Sequence, residues 1–214
     1  MRPLLVFDLD GTLIDGYRGI ADALSYAMGK LGLTPPSDQR VRVMVGYGLE
    51  RLVEQAVGHE LAPEGVRLFR ERYPDVAVEG SVLLPGVAGT LALLEEGGYA
   101  MAVASNKPAR FSRLILEAKG LLRHFFAVEG PDAKTPTKPD PAMLRRILER
   151  RGASPAEGIV IGDMEVDAEF ARAAGCRVVL IPSGSRTREE LAVVPADGFL
   201  FSIADLPEWL TRAG

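Results

Sequence analysis

The sequence predicts an α/β fold, a parallel sheet with helices on its faces and a small helical domain inserted into it. Three observations carry that expectation. Short apolar runs recur at 4–9, 99–104, 125–128, 158–161, 177–181 and 198–201 and alternate with helix-like stretches, as strands buried on both faces do. The interval 16–84 breaks the alternation, with little strand signal and several amphipathic segments. Four polar motifs each fall at the end of an apolar run, where open parallel sheets gather their ligands.

The first run, Leu4–Leu9, leads into Asp8-Leu9-Asp10-Gly11-Thr12. Beyond it, Ile20–Leu31 places Ile20, Ala23, Leu24, Ala27 and Leu31 on one helical stripe. Leu49–Val57 and Val66–Tyr73 follow as further helices, set apart by Thr34-Pro35-Pro36-Ser37 and by the segment 58–63. An interval of this length is too long for a structureless loop in a compact domain. A helical insert over 16–84 accounts for it, with Leu83-Leu84-Pro85-Gly86 returning the chain to a sheet domain of residues 1–15 and 85–214. Downstream, Pro141–Arg151 and Asp167–Ala174 carry apolar residues at helical spacing between the later strands.

Composition excludes several classes. The 214 residues fit one substantial domain or a core with an insert. A net charge of −4 and a pI near 5.4 lack the cationic surface that a general nucleic-acid binder needs. No apolar run approaches the length of a membrane span. Met1 runs directly into a strand-like segment without a signal peptide, so the expected address is cytoplasmic. The single cysteine, Cys176, allows no internal disulfide or cysteine-based zinc site and reads as a packing thiol. Composition leaves monomer and homodimer equally open.

Each strand-end motif has a plain structural reading beside its chemical one. Asp8 and Asp10 would share a face if the strand continued through them, and two such carboxylates repel. A divalent cation relieves that repulsion, and Mg²⁺ favours one or two carboxylates plus substrate phosphate. Proton sharing is the other route. Met101-Ala102-Val103-Ala104-Ser105-Asn106-Lys107 ends a strand on a hydroxyl and an amide that can bond phosphate oxygens, or simply turn the chain. Lys138, between Thr137 and Pro139-Asp140-Pro141, is either an ammonium held stiffly against a phosphate or a solvated loop lysine. Gly162-Asp163-Met164-Glu165-Val166-Asp167 puts two acids four residues apart, as metal ligands or as favourable charges at a helix start. Taken together they are complementary, with carboxylates for a cation and donors for a phosphate.

This ordered set resembles the haloacid-dehalogenase superfamily, in its phosphatase branch with a helical cap. The likeness spans essentially the whole chain. It rests on Asp8, Asp10, Gly11 and Thr12 for the D-x-D-G-T pattern, Ser105 for the small hydroxyl motif, Lys138 for the motif lysine, and Asp163 and Asp167 for G-D-x-x-x-D. The resemblance implies a Rossmann-like core, a mobile cap, Asp8 as nucleophile and Asp10 as general acid and base. It also implies Mg²⁺ on Asp8, the Asp10 carbonyl and Asp163, with Asp167 as a direct or outer ligand, while Gly11, Thr12 and Asn106 line the phosphate. Within the superfamily, Val45-Gly46-Tyr47-Gly48-Leu49-Glu50-Arg51 is similar to the cap loop of phosphoglycolate phosphatases, which makes Tyr47 and Arg51 candidates for a small anionic substrate. Two departures are Met164, where Ser or Thr is common, and Gly16, where Ser is frequent.

The resemblance therefore implies Mg²⁺-dependent hydrolysis of a small phosphorylated metabolite through an aspartyl-phosphate, most like that of the phosphoglycolate phosphatases. Carbon–halogen hydrolysis would have no use for Asp10, since halide leaves without a proton. A sugar-phosphate mutase would need a cap group to deliver a second hydroxyl, and His59 reads only as part of an interhelical loop. A binding protein that kept the fold would be marked by loss of Asp8 or Lys138, and both are present.

Overall fold

The structure is a computed structural model that describes residues 2–132 and 135–213. Strand β1 (Leu4–Phe7) leads through the short β2 (Ile14–Asp15) into helices α1 (Tyr17–Lys30), α2 (Asp38–Met44), α3 (Leu49–Val57) and α4 (Ala62–Val76). The chain returns through β3 (Val82–Leu83), then runs α5 (Val87–Glu96), β4 (Ala100–Ala104), α6 (Ala109–Ala118), β5 (Ala127–Glu129) and α7 (Ala142–Arg151). It ends with β6 (Gly158–Gly162), α8 (Glu165–Ala174), β7 (Arg177–Leu180), α9 (Arg188–Ala192), β8 (Gly198–Phe199) and α10 (Leu206–Ala213). No helix among the described residues is long and apolar enough to cross a membrane.

Six strands form one parallel sheet in the order β5-β4-β1-β6-β7-β8. Alternation along each strand divides the core between its two faces. Leu5, Phe7, Met101, Val103, Ile159 and Ile161 point to the side shared with α5, α6 and the helical insert. Leu4, Val6, Ala102, Ala104 and Val160 point to the other, against Met143, Leu144 and Ile147 of α7 and Phe170 of α8. Burial on both faces is why these strands are continuously apolar.

The expected parallel α/β sheet with a helical cap inserted is the observed one. All its strands but β6 are shorter than the apolar runs that announced them. Leu9 is fully buried but lies past β1, because the chain folds back there and the amides of Leu13 and Ile14 both donate to its carbonyl. In the insert, α1 packs on α4 and α4 on α3, and Phe69 stacks on Tyr73 one turn along α4. Two features had no sequence forecast. Helix α2 is capped by Ser37 Oγ, which accepts from the Arg40 amide. The antiparallel pair β2–β3, with Ile14 opposite Leu83, is the double connection between cap and sheet.

Candidate active site

Strands β1, β4 and β6 lie side by side, so their carboxyl ends bring three separate segments together. Asp8 follows β1, Ser105 follows β4, and Asp163 follows β6. The loop before α7 adds Lys138, whose Nζ donates to Asp8 Oδ1 at 2.7 Å and to Asp167 Oδ1 at 2.8 Å. Both acids and the lysine are buried. Burial alone would lower the Lys138 pKa, but the charges of Asp167 and Asp8 outweigh it and hold the ammonium above its usual range.

Asp167 has no free oxygen. Its Oδ2 accepts from the amides of Asp163 and Met164 at 3.2 and 3.1 Å, reaching back over the start of α8 as a capping acid does. Its Oδ1 is on Lys138. Asp163 differs: Oδ1 accepts from Thr12 Oγ1 at 3.2 Å, while Oδ2 is buried without any partner. A Cβ at Gly11 or Gly184 would collide with that bare oxygen, and Gly11 holds a φ of +92° that disfavours side chains. The Gly11 carbonyl is held in turn by Ser183 Oγ at 2.6 Å.

Burial raises the Asp8 carboxyl to about 7, Lys138 opposing and Asp167 and Asp10 adding to the rise. Asp163 is pushed up well above the carboxylate range by burial first, then by Asp8 and Asp167. With all four aspartates of this floor ionised, two negative charges would stand unmatched by the two lysines, which is why burial holds protons on Asp8 and Asp163. A divalent cation would supply that charge and a partner for Asp163 Oδ2. Among the described residues no three acidic, histidine or cysteine side chains are arranged to hold a metal alone. A cation here would therefore rest on two carboxylates, with backbone, water or phosphate oxygens completing the set.

Asp10 and Lys107 form the second ion pair, with Nζ at 2.7 and 2.8 Å from the two carboxylate oxygens. Burial would lower Lys107, but Asp10 keeps it charged and raised. Gly16 has a definite place here, since a Cβ on it would collide with Asp10 Oδ1. Sequence reading gave Lys107 no role, although it directly follows Ser105 and Asn106 at a strand end. Ser105 lines the cleft, its Oγ accepting from the Lys107 amide at 3.2 Å.

Asn106 clamps two loops. Its Oδ1 accepts from the Lys138 amide at 2.6 Å, and its Nδ2 donates to the Gly46 carbonyl of the cap at 2.8 Å. Met164 packs where a Gly46 side chain would otherwise sit. The departure at Met164 thus seats the cap loop. Tyr47 and Arg51 are not brought to the cleft. Tyr47 Oη donates to Glu165 at 3.1 Å, and Arg51 stacks on the Tyr47 ring at 4.4 Å. Glu165 is also held by Arg186 through two bonds of 2.8 and 2.9 Å. Asp8, Asp10, Ser105, Asn106, Lys138, Asp163 and Asp167 do share one cleft, roofed by the cap.

A buried carboxylate, a second acid and paired lysines at the carboxyl edge of a parallel sheet suit a phosphoric monoester hydrolase. Comparison with known proteins agrees. Residues 5–181 match the family model described as haloacid dehalogenase-like hydrolase, and the chain belongs to that family. It is 34% identical to a phosphoglycolate phosphatase of Mesorhizobium japonicum, covering 99% of this chain and 98% of that protein. It is 33% identical to one of Escherichia coli, over 94% and 90% of the two chains. A predicted phosphoglycolate phosphatase from Haemophilus somnus superposes with a TM-score of 0.88 at 28% identity, covering 97% of each chain.

Proposed function

We propose that the protein is a magnesium-dependent phosphatase acting on a small phosphomonoester through an aspartyl-phosphate on Asp8, with residues 16–84 closing as a cap over the rest. The observation that carries this reading is the bare, buried Asp163 Oδ2 beside Asp8. Mg²⁺ held by Asp8, Asp163 and the Asp10 carbonyl would neutralise charge on the transferring phosphoryl oxygens.

The chain's own residues supply the rest. Asp8 attacks phosphorus in line; Asp10, which takes up a proton from solvent as it turns off Lys107, gives that proton to the leaving ester oxygen. Asp10 then takes a proton from the water that attacks the acyl-phosphate, releasing inorganic phosphate and restoring Asp8. Lys138 bridges Asp8 and Asp167, so it orients the nucleophile and can meet a phosphate oxygen with its remaining donor. Lys107 sets the resting direction of Asp10. Ser105 offers a hydroxyl, and Gly11 and Thr12 shape the loop around the phosphate. Asp167, fully engaged by Lys138 and backbone amides, is assigned to holding Lys138 and the Asp163 turn. Closure of the cap would exclude water.

The names of the similar proteins make phosphoglycolate the first ester to test. Phosphate release should be measured with Mg²⁺ across phosphorylated metabolites and p-nitrophenyl phosphate, ranked by kcat/KM. Release from several esters is expected. Conversion of a hexose 1-phosphate to its 6-phosphate would point to a mutase, and no release from any ester would contradict the reading.

A further inference from the structure

The buried charges of the cleft all lie on its floor. Its walls above Asp8 are Ile20, Leu49, Leu52 and Phe69 from the insert and Phe111 from α6. Of these, Leu52, Phe69, Ile20 and Phe111 are buried. One polar side-chain atom of the cap is buried among them: the Tyr73 hydroxyl, which faces the Lys107 ammonium already paired with Asp10. Its ring stacks on Phe69 and meets Phe111 edge-on at 5.1 Å. Two arginines reach the cleft, and both are exposed. Arg70 is paired with Glu50 at 2.7 Å, and Arg110 lies over the Phe111 ring.

These walls are the wrong material for a second negative charge close to the phosphate. A buried carboxylate needs a cation or several donors, and without them it loses its hydration unreturned. The cap offers one neutral hydroxyl. An apolar alcohol group would instead lose only water that aliphatic and aromatic walls cannot hold well.

We infer that this site is specific for phosphomonoesters with an uncharged, mainly apolar alcohol group, seated between α3, α4 and Phe111 with Tyr73 offering one hydrogen bond. The inference rests on the phosphatase reading above and sharpens its substrate class.

Ethyl, butyl and hexyl phosphate, with phosphoglycolate, make the test, each assayed for phosphate release with Mg²⁺. The simple alcohols differ little in acidity, so differences in kcat/KM report how the alcohol group binds. Butyl phosphate should exceed ethyl phosphate by about tenfold, the effect of burying two methylenes at ~0.8 kcal/mol each. Phosphoglycolate should fall below ethyl phosphate. Leu49→Gln, at a half-buried position on the wall, should bring the butyl-to-ethyl ratio toward one. A flat series, or phosphoglycolate ahead of butyl phosphate, overturns the inference and leaves the phosphatase reading standing. No release from any ester removes both.

Discussion

The floor and the roof of the cleft are built from opposite materials. The floor holds Asp8, Asp10, Asp163, Asp167, Lys107 and Lys138, nearly all buried and each lysine bonded to acids from distant parts of the chain. The roof keeps most of its charges outside, as in the exposed pairs Arg67–Glu64 and Arg67–Glu71, and turns apolar residues inward. Breaking one buried pair leaves an uncompensated charge at a cost of about 3–5 kcal/mol, whereas exposed pairs contribute about 0–1 kcal/mol. Rigidity is thus concentrated where bonds would be made and broken. The roof meets the floor through a few polar ties, chiefly Asn106 to Gly46 and Tyr47 to Glu165. Such a cap can change what it admits without disturbing the floor.

Substitutions can break that contrast, in descending order of effect. Asp8→Asn removes the nucleophile but keeps its shape, and kcat should fall by about 10⁴-fold or more. Circular dichroism should confirm an intact fold; a variant as active as the parent would remove Asp8 from its role. Lys138→Met leaves Asp8 and Asp167 buried without their cation. It should lose about 10²–10³ in kcat and unfold at lower denaturant, by about 3–5 kcal/mol, as a urea titration would reveal. Asp10→Asn keeps the shape but removes the proton donor, and the loss in kcat should be larger for alkyl than for p-nitrophenyl esters, because only poor leaving groups need the proton. Equal losses would count against Asp10 as the acid. Asn106→Ala cuts the tie to the cap loop. It should raise KM by about threefold to tenfold, the worth of a hydrogen bond or two, and do less to kcat; an unchanged KM would mean that the tie does not hold the roof closed.

Much of this was legible in the sequence, for physical reasons. Strands buried on both faces must be apolar throughout, so β1, β4, β6 and β7 stood out, and the acids that end β1 and β6 were conspicuous. Helix α2 was not legible, because seven residues with only Val41 and Met44 buried carry little periodicity. Lys107 was missed because a lysine after a strand usually points to solvent; here Asp10, 97 positions away, holds it inside. The likeness of the 45–51 loop to a phosphoglycolate phosphatase cap loop points Tyr47 and Arg51 at a substrate. The partner that takes Tyr47 is Glu165, 118 residues away, and no local pattern announces it.

The central claim is that phosphate passes through the carboxylate of Asp8. Acid quenching during turnover with Mg²⁺, followed by mass spectrometry of peptides, tests it most directly. The account predicts one phosphoryl group on the peptide that contains Asp8, absent from Asp8→Asn. A phosphoryl group on another residue, or a rapid phosphate burst with no adduct on Asp8, would contradict it.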